Sequence, residues 1–172
     1  MGAHLGLSVL SCVSGAAATC PPAPAPTDDD DDSAVGRVVA KMYGGGGLDA
    51  RACCEDVVFE DPAACCVGRV EVVEAFRALK ACRPRSLQPP RTCAKQRVGD
   101  IERHVVWLDQ HYFGVLRVRG TVVVDVRTAN GRIARFEERW NAAPLWDVAP
   151  LRWTRRLNGV LSGTLTPLVV RS

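Results

Sequence analysis

The chain of 172 residues has no Cys-x-x-Cys pair, three lysines, three histidines and no apolar run long enough to span a bilayer. Each shortage narrows the function. Eight cysteines without a single Cys-x-x-Cys knuckle do not make a zinc module. Cys53-Cys54 and Cys65-Cys66 are adjacent pairs, and neighbours on a strand point to opposite faces, so each pair offers one ligand to a common site. His104 and His111 stand seven apart, which is not a metal-ligand spacing. No metal and no cofactor is therefore expected, and the cysteines are read as small buried thiols in a reducing compartment. The most apolar stretch, Leu5–Ala18, falls short of the roughly 18–20 residues a membrane helix needs. It lacks the basic start of a secretory signal and the arginine-rich pattern of a transit peptide. Gly6 breaks the myristoylation pattern after Gly2. No integral membrane segment is expected, and chloroplast or cytoplasm is expected over secretion.

With lysine so scarce, the basic charge is nearly all arginine. The 22 basic residues face 19 acidic ones, but five of those acids are the run Asp28–Asp32, which leaves 22 against 14 elsewhere. An anionic partner is one reading. The arginines are spread along the chain rather than clustered, so no nucleic-acid partner is expected. The prolines from Pro21 to Pro26 and the aspartate run cannot pack a core, which makes residues 1–33 a disordered leader, retained or cleaved.

From residue 34 the pattern becomes that of a folded domain. Val35, Val38, Val39, Met42 and Tyr43 have helical spacing, and the glycines from Gly44 to Gly47 end that helix. A second short helix is expected from about Leu48 to Asp56. Val57-Val58-Phe59-Glu60-Asp61-Pro62 is then a strand that must stop, because proline lacks an N–H and turns the residue before it away from helix. From Arg69 to Ala81, Val72, Val73, Phe76 and Leu79 form an apolar stripe, with Glu74, Arg77 and Lys80 on the wet side. After a loop from Arg83 to Pro90 the period changes to two. Thr92–Val98 and Glu102–Leu108 read as strands. In the run from Phe113 to Arg127, Leu116, Val118, Gly120, Val122, Val124 and Val126 share one face, against Arg117, Arg119, Thr121 and Asp125. Thr128-Ala129-Asn130-Gly131 is a hairpin turn. In the last strand Ala134, Phe136 and Trp140 oppose Arg135, Glu137 and Arg139. These elements describe an α+β fold in which a curved antiparallel sheet wraps N-terminal helices and leaves a conical cavity, over residues 34–143. Residues 144–172 form a C-terminal extension, expected to be helical. Its Trp146, Leu151, Trp153, Leu157, Val160 and Leu161, interspersed with Arg152, Arg155 and Arg156, suit packing on the domain's own sheet or a second copy, or a membrane surface.

Asp61 is the candidate reactive group, a carboxylate at a strand end beside the cavity. A turn residue accepting backbone N–H bonds is the structural alternative. His104, with a reference pKa near neutrality, is the candidate acid–base partner. Arg119 and Arg139, with Glu137, are candidate ligand-binding residues because the guanidinium fork suits anions; cross-strand ion pairs explain them equally well. Phe59 and Trp107 complete the ligand-binding set, and Trp107 and Trp140 also suit a core or dimer face.

The residues Val57–Pro62, Val67-Gly68-Arg69, Ala75-Phe76 and Asn130-Gly131-Arg132-Ile133 leading to Trp140 resemble the nuclear transport factor 2-like superfamily, in its SnoaL-like (polyketide-cyclase-like) and steroid-isomerase-like branches. An uncharacterised plant and algal branch is the nearest in pattern. The resemblance implies a cone-shaped, cystatin-like roll. In the steroid isomerases the aspartate of Glu-Asp-Pro is the general base, and Asp61 stands there. Their oxyanion tyrosine lies two turns before the helix-ending glycine, whereas Tyr43 immediately precedes it. Their second acid falls near Val123, two residues from Asp125. Three functions follow as expectations: binding of a small apolar or aromatic molecule, a cyclase or isomerase using Asp61 and His104, and a homodimeric interaction module that meets its partner through the sheet face.

Overall fold

A computed structural model describes residues 34–140 and 149–169. The expected leader 1–33, Trp146 and the rest of 141–148 lie outside the described residues. Helix α1 (Ala34–Lys41) buries Val39 and runs into a wide turn, Met42–Gly46, that buries Met42 and Tyr43. Where a second helix was expected there is one short turn, Ala50–Ala52, capped by the Asp49 carboxylate on the Arg51 N–H. Strand β1 (Cys53–Glu60) already starts at Cys53, because Cys53 pairs with Ile133 of the last strand, and sheet pairing outweighs local helical preference.

The chain continues through β2 (Cys65–Val67), α2 (Arg69–Leu79), β3 (Arg85–Ser86), β4 (Arg91–Val98), β5 (Ile101–Tyr112), β6 (Leu116–Arg127), β7 (Arg132–Trp140) and α3 (Ala149–Val169). The sheet runs β2-β1-β7-β6-β5, with β3 and β4 both paired to β5. All its pairs are antiparallel except β1 with β7, which is parallel. The alternation predicted along β6 is present, with Val122 and Val124 in the core and Arg119 and Asp125 opposite. Gly120 faces Leu108 and Trp140 in the register, and a Cβ there would lie 2.2 Å from the Arg139 carbonyl oxygen. A close backbone approach of this kind is where a strand tolerates only glycine.

The concave face holds α1 and α2. Phe76 of α2 touches the rings of Tyr43, Phe59 and Phe136 edge-on, with centroids 5.9, 4.9 and 5.7 Å away. Glu74, expected on the wet side of that helix, is 8% exposed and pairs with Arg77 at 2.7 Å.

Helix α3 packs on α2 and β2 rather than across the sheet. Gly159 permits this: a Cβ there would meet the Cys65 carbonyl oxygen at 2.0 Å. Arg156 forks onto both Glu71 oxygens at 2.6 and 2.9 Å. Arg155, 6% exposed, donates to the Asp61 carbonyl at 2.8 Å and to the Glu60 carboxylate at 3.2 Å, and Asn158 donates to the Ala63 carbonyl. The extension thus fastens the turn after β1.

Candidate functional site

Strand alternation and one proline set the site. Phe59 faces the core, Glu60 faces outward, and Asp61 turns inward again just as Pro62 ends the strand. The Asp61 carboxylate accepts the N–H groups of Ala63, at 2.7 Å, and Ala64. It therefore organises its own turn, as the structural alternative required, and at the same time faces a cavity of about 280 Å³. The walls of that cavity are apolar: Phe59, Ala75, Phe76, Leu79, Leu116, Val118 and Trp140, among others. The polar side chains that reach it are Asp61, Glu138, Tyr112 and Cys82.

Glu138 is the second carboxyl of the cavity. It lies on β7 between Phe136 and Trp140, on the face that those two share. Its oxygens accept the Tyr43 hydroxyl at 2.9 Å and the Trp140 indole N–H at 3.0 Å. Burial pushes Glu138 up to about 7, the nearby charge of Asp61 adds to that, and the two hydrogen bonds oppose it. Burial likewise pushes Asp61 up to about 6, against the backbone N–H groups of Ala64 and Ala63 and the charge of Arg155. The hydroxyls of Tyr43 and Tyr112 are raised by burial and then by Glu138, so both stay protonated.

Of the residues singled out from the sequence, Asp61 and Phe59 line this cavity. His104 does not. It shares a face of β5 with Tyr112 but sits eight residues away, which is about 26 Å along a strand. It is buried there, with Nε2 2.7 Å from the Glu102 carboxylate. Trp107, Arg119, Glu137 and Arg139 have the opposite strand parity and sit on the outer sheet face. Trp107 is 4% exposed in that face, Arg119 stands 3.5 Å from Asp109, and Glu137 binds Arg139 at 2.6 Å and Arg135 at 2.9 Å. Asp125, weighed as the second acid, is held on the same face by Arg103.

Glu138 and Tyr112 were not anticipated. A signal for Glu138 existed in the alternation itself, since a carboxylate between Phe136 and Trp140 must point with them. Tyr112 lies beyond the strand end expected at Leu108, so its inward face was not assigned.

Among the described residues no group of three His, Cys, Asp or Glu side chains could hold a metal ion. Cys53, Cys54, Cys65, Cys66 and Cys82 are unbridged thiols, and burial pushes Cys53 and Cys66 up to about 12. No helix among the described residues is long and apolar enough to cross a membrane.

No family model matches the chain, and no curated protein matches it. Solved structures do match in fold. A protein from Catenulispora acidiphila with a ketosteroid isomerase-like fold, solved with trimethylamine, is 15% identical and has a TM-score of 0.46; the match covers 63% of this chain and 86% of that one. A Sinorhizobium meliloti protein named as a polyketide cyclase is 21% identical with a TM-score of 0.45, over 63% of this chain and 96% of its own. A cystatin-like protein of unknown function from Methylobium petroleophilum is 16% identical with a TM-score of 0.46, over 68% of this chain and 83% of its own. The TM-scores are all below 0.5, so what stands for this chain is its own architecture: an α+β arrangement with helices packed on one face of a mainly antiparallel sheet.

Proposed function

We propose that the protein binds a small, largely apolar molecule in the cavity between Asp61 and Glu138. One observation carries this reading: two carboxyl groups, the buried Glu138 and the partly buried Asp61, face one apolar cavity. Burying either acid costs free energy that an apolar residue would not, and perturbed acids in a concave site point to a ligand or a reaction rather than to stability. The interaction-module reading needs a filled cone and a broad exposed apolar sheet face. The open cavity, and an outer face carrying the ion pairs of Arg103, Arg119, Arg135 and Arg139, favour the binding reading.

A thermal-shift screen with apolar and aromatic compounds tests it. A ligand at a hundredfold excess over its Kd adds about 2.7 kcal/mol of stability. Ala78→Phe, which fills the cavity from α2, should abolish the shift. No shift with any compound overturns the reading.

A second reading is proton transfer on a bound molecule. It is supported by two carboxyls poised near neutrality, one at about 6 and one at about 7, which is how a base and an acid are kept in one site. Asp61 is the base and Glu138 the paired acid, while His104 is too distant along β5 to take part. Solvent-deuterium exchange next to the carbonyl of small ketones, followed by NMR, is the assay. Exchange that persists in Asp61→Asn rules Asp61 out.

A further inference from the structure

The side chains facing the cavity are one-sided in charge. Asp61 and Glu138 supply two acids, Tyr112 a hydroxyl and Cys82 a thiol, and among the described residues no lysine, arginine or histidine lines the walls. Both acids are also supplied with donors from behind. Glu138 accepts from Tyr43 and Trp140, and Asp61 from the N–H groups of Ala63 and Ala64. Donors arranged in this way favour the carboxylate form and turn the remaining lone pairs toward the cavity. The other wall component is aromatic: Phe59, Phe76, Tyr112 and Trp140. Aromatic faces combined with carboxylates attract a desolvated cation, and an anion would meet repulsion on every polar side.

We infer that the cavity takes an organic cation, an ammonium group carrying apolar or aromatic substituents, with its charge set between Asp61 and Glu138. The inference rests on the binding reading and narrows its ligand class. Without a cation, burial holds part of both acids protonated at neutral pH. A bound ammonium replaces those protons. The neighbours that set this balance come from every side: Arg155 of α3 at the Asp61 main-chain carbonyl, Tyr43 from the turn after α1, Tyr112 of β5, Cys66 of β2 and Cys82 after α2. None of them is a cation inside the cavity, so no described residue duplicates the charge of the ligand.

The test uses the full chain with two probes of the same shape, benzyltrimethylammonium and neopentylbenzene, in which carbon replaces nitrogen. Calorimetry at about pH 8 should give the cation at least about tenfold tighter binding. That advantage should shrink toward about pH 5, with protons released on binding. Glu138→Gln and Asp61→Asn should each remove most of the advantage of the cation over the neutral probe, with the fold of each variant certified separately by circular dichroism and urea unfolding. If the neutral probe binds as well as the cation, the cation inference is overturned and the binding reading stands. If neither probe binds, both are overturned. A cation preference unchanged in both variants places the charge elsewhere and overturns the inference as well.

Discussion

Glu137 and Glu138 are adjacent on β7 and lead opposite lives. Glu137 faces outward between Arg135 and Arg139; it is itself buried, but it is paired with partly exposed arginines in a row of ion pairs that continues through Glu60. Glu138 faces inward, holds no cation, and is raised toward neutrality by burial. The same contrast repeats one strand away, where Glu60 meets Arg135 and Arg155 outside and Asp61 enters the cavity. Composition cannot separate such neighbours. The two-residue period of the strand can, and it assigns ordinary surface electrostatics to one face and perturbed acids to the other.

The largest contrast between the faces should appear on truncating the inner aromatic cluster. Phe76 joins Tyr43, Phe59 and Phe136 and also lines the cavity, so Phe76→Ala should cost about 3–5 kcal/mol in urea unfolding. A loss under about 1 kcal/mol would mean that the helix–sheet core does not depend on this ring.

Protonation provides the next test, and the two faces should respond with opposite sign. Glu138 has a folded pKa of about 7 against an ordinary 4.5, so the folded protein holds the extra proton between those values. Stability falls as pH rises through that window, by on the order of 3 kcal/mol from this group. Glu138→Gln should therefore gain stability relative to the parent between about pH 5 and 8. On the outer face Asp109 is held below its ordinary 3.8 by the hydrogen bonds of Arg117. Its contribution is present above that value and is lost as pH falls below it, so Asp109→Asn should flatten the acid limb instead. Parallel pH curves for the parent and Glu138→Gln would remove the contrast.

Arg155 joins the two regions, because it binds the outward Glu60 carboxylate and the main-chain carbonyl of inward Asp61. Arg155→Ala should cost about 1–3 kcal/mol, since it leaves enclosed acceptors without a donor. It should also raise the Asp61 pKa further, because the charge of Arg155 lowers it. Arg155→Lys should recover the pKa more than the stability, because lysine keeps the charge but not the fork. Carbon-detected NMR titration of the Asp61 carboxyl reads the pKa directly. An unmoved pKa in Arg155→Ala would disconnect α3 from the site.

Much of this frame was legible in the chain because it rests on local rules. The Asp-Pro stop, the Asn-Gly turn before Arg132 and the alternation along β6 each follow from backbone chemistry at a few residues. The parallel pairing of β1 with β7 was not legible, since it joins residues about eighty positions apart, such as Val58 and Arg135. That pairing also turned the helix expected from Leu48 into a strand starting at Cys53. The candidate site was half legible. Asp61 and Phe59 were placed by the strand end, but the acid–base partner was sought at His104, and the second acid through family position near Val123 and Asp125. The strand parity of Phe136 and Trp140 already pointed to Glu138.

The smallest effect should come from the outer face, and it completes the comparison. Arg119 is half-exposed and approaches Asp109 at 3.5 Å, while Arg117 already binds that carboxylate through two nitrogens. Asp109 itself is buried, but Arg119 is half-exposed and screened by solvent, and here the acid keeps its better partner. Arg119→Ala should therefore change stability by less than about 0.5 kcal/mol and leave ligand affinity in the cavity unchanged. If Arg119→Ala instead weakened binding as strongly as Glu138→Gln, the outer face would belong to the site. The division of labour between adjacent residues would then fail where it now looks simplest.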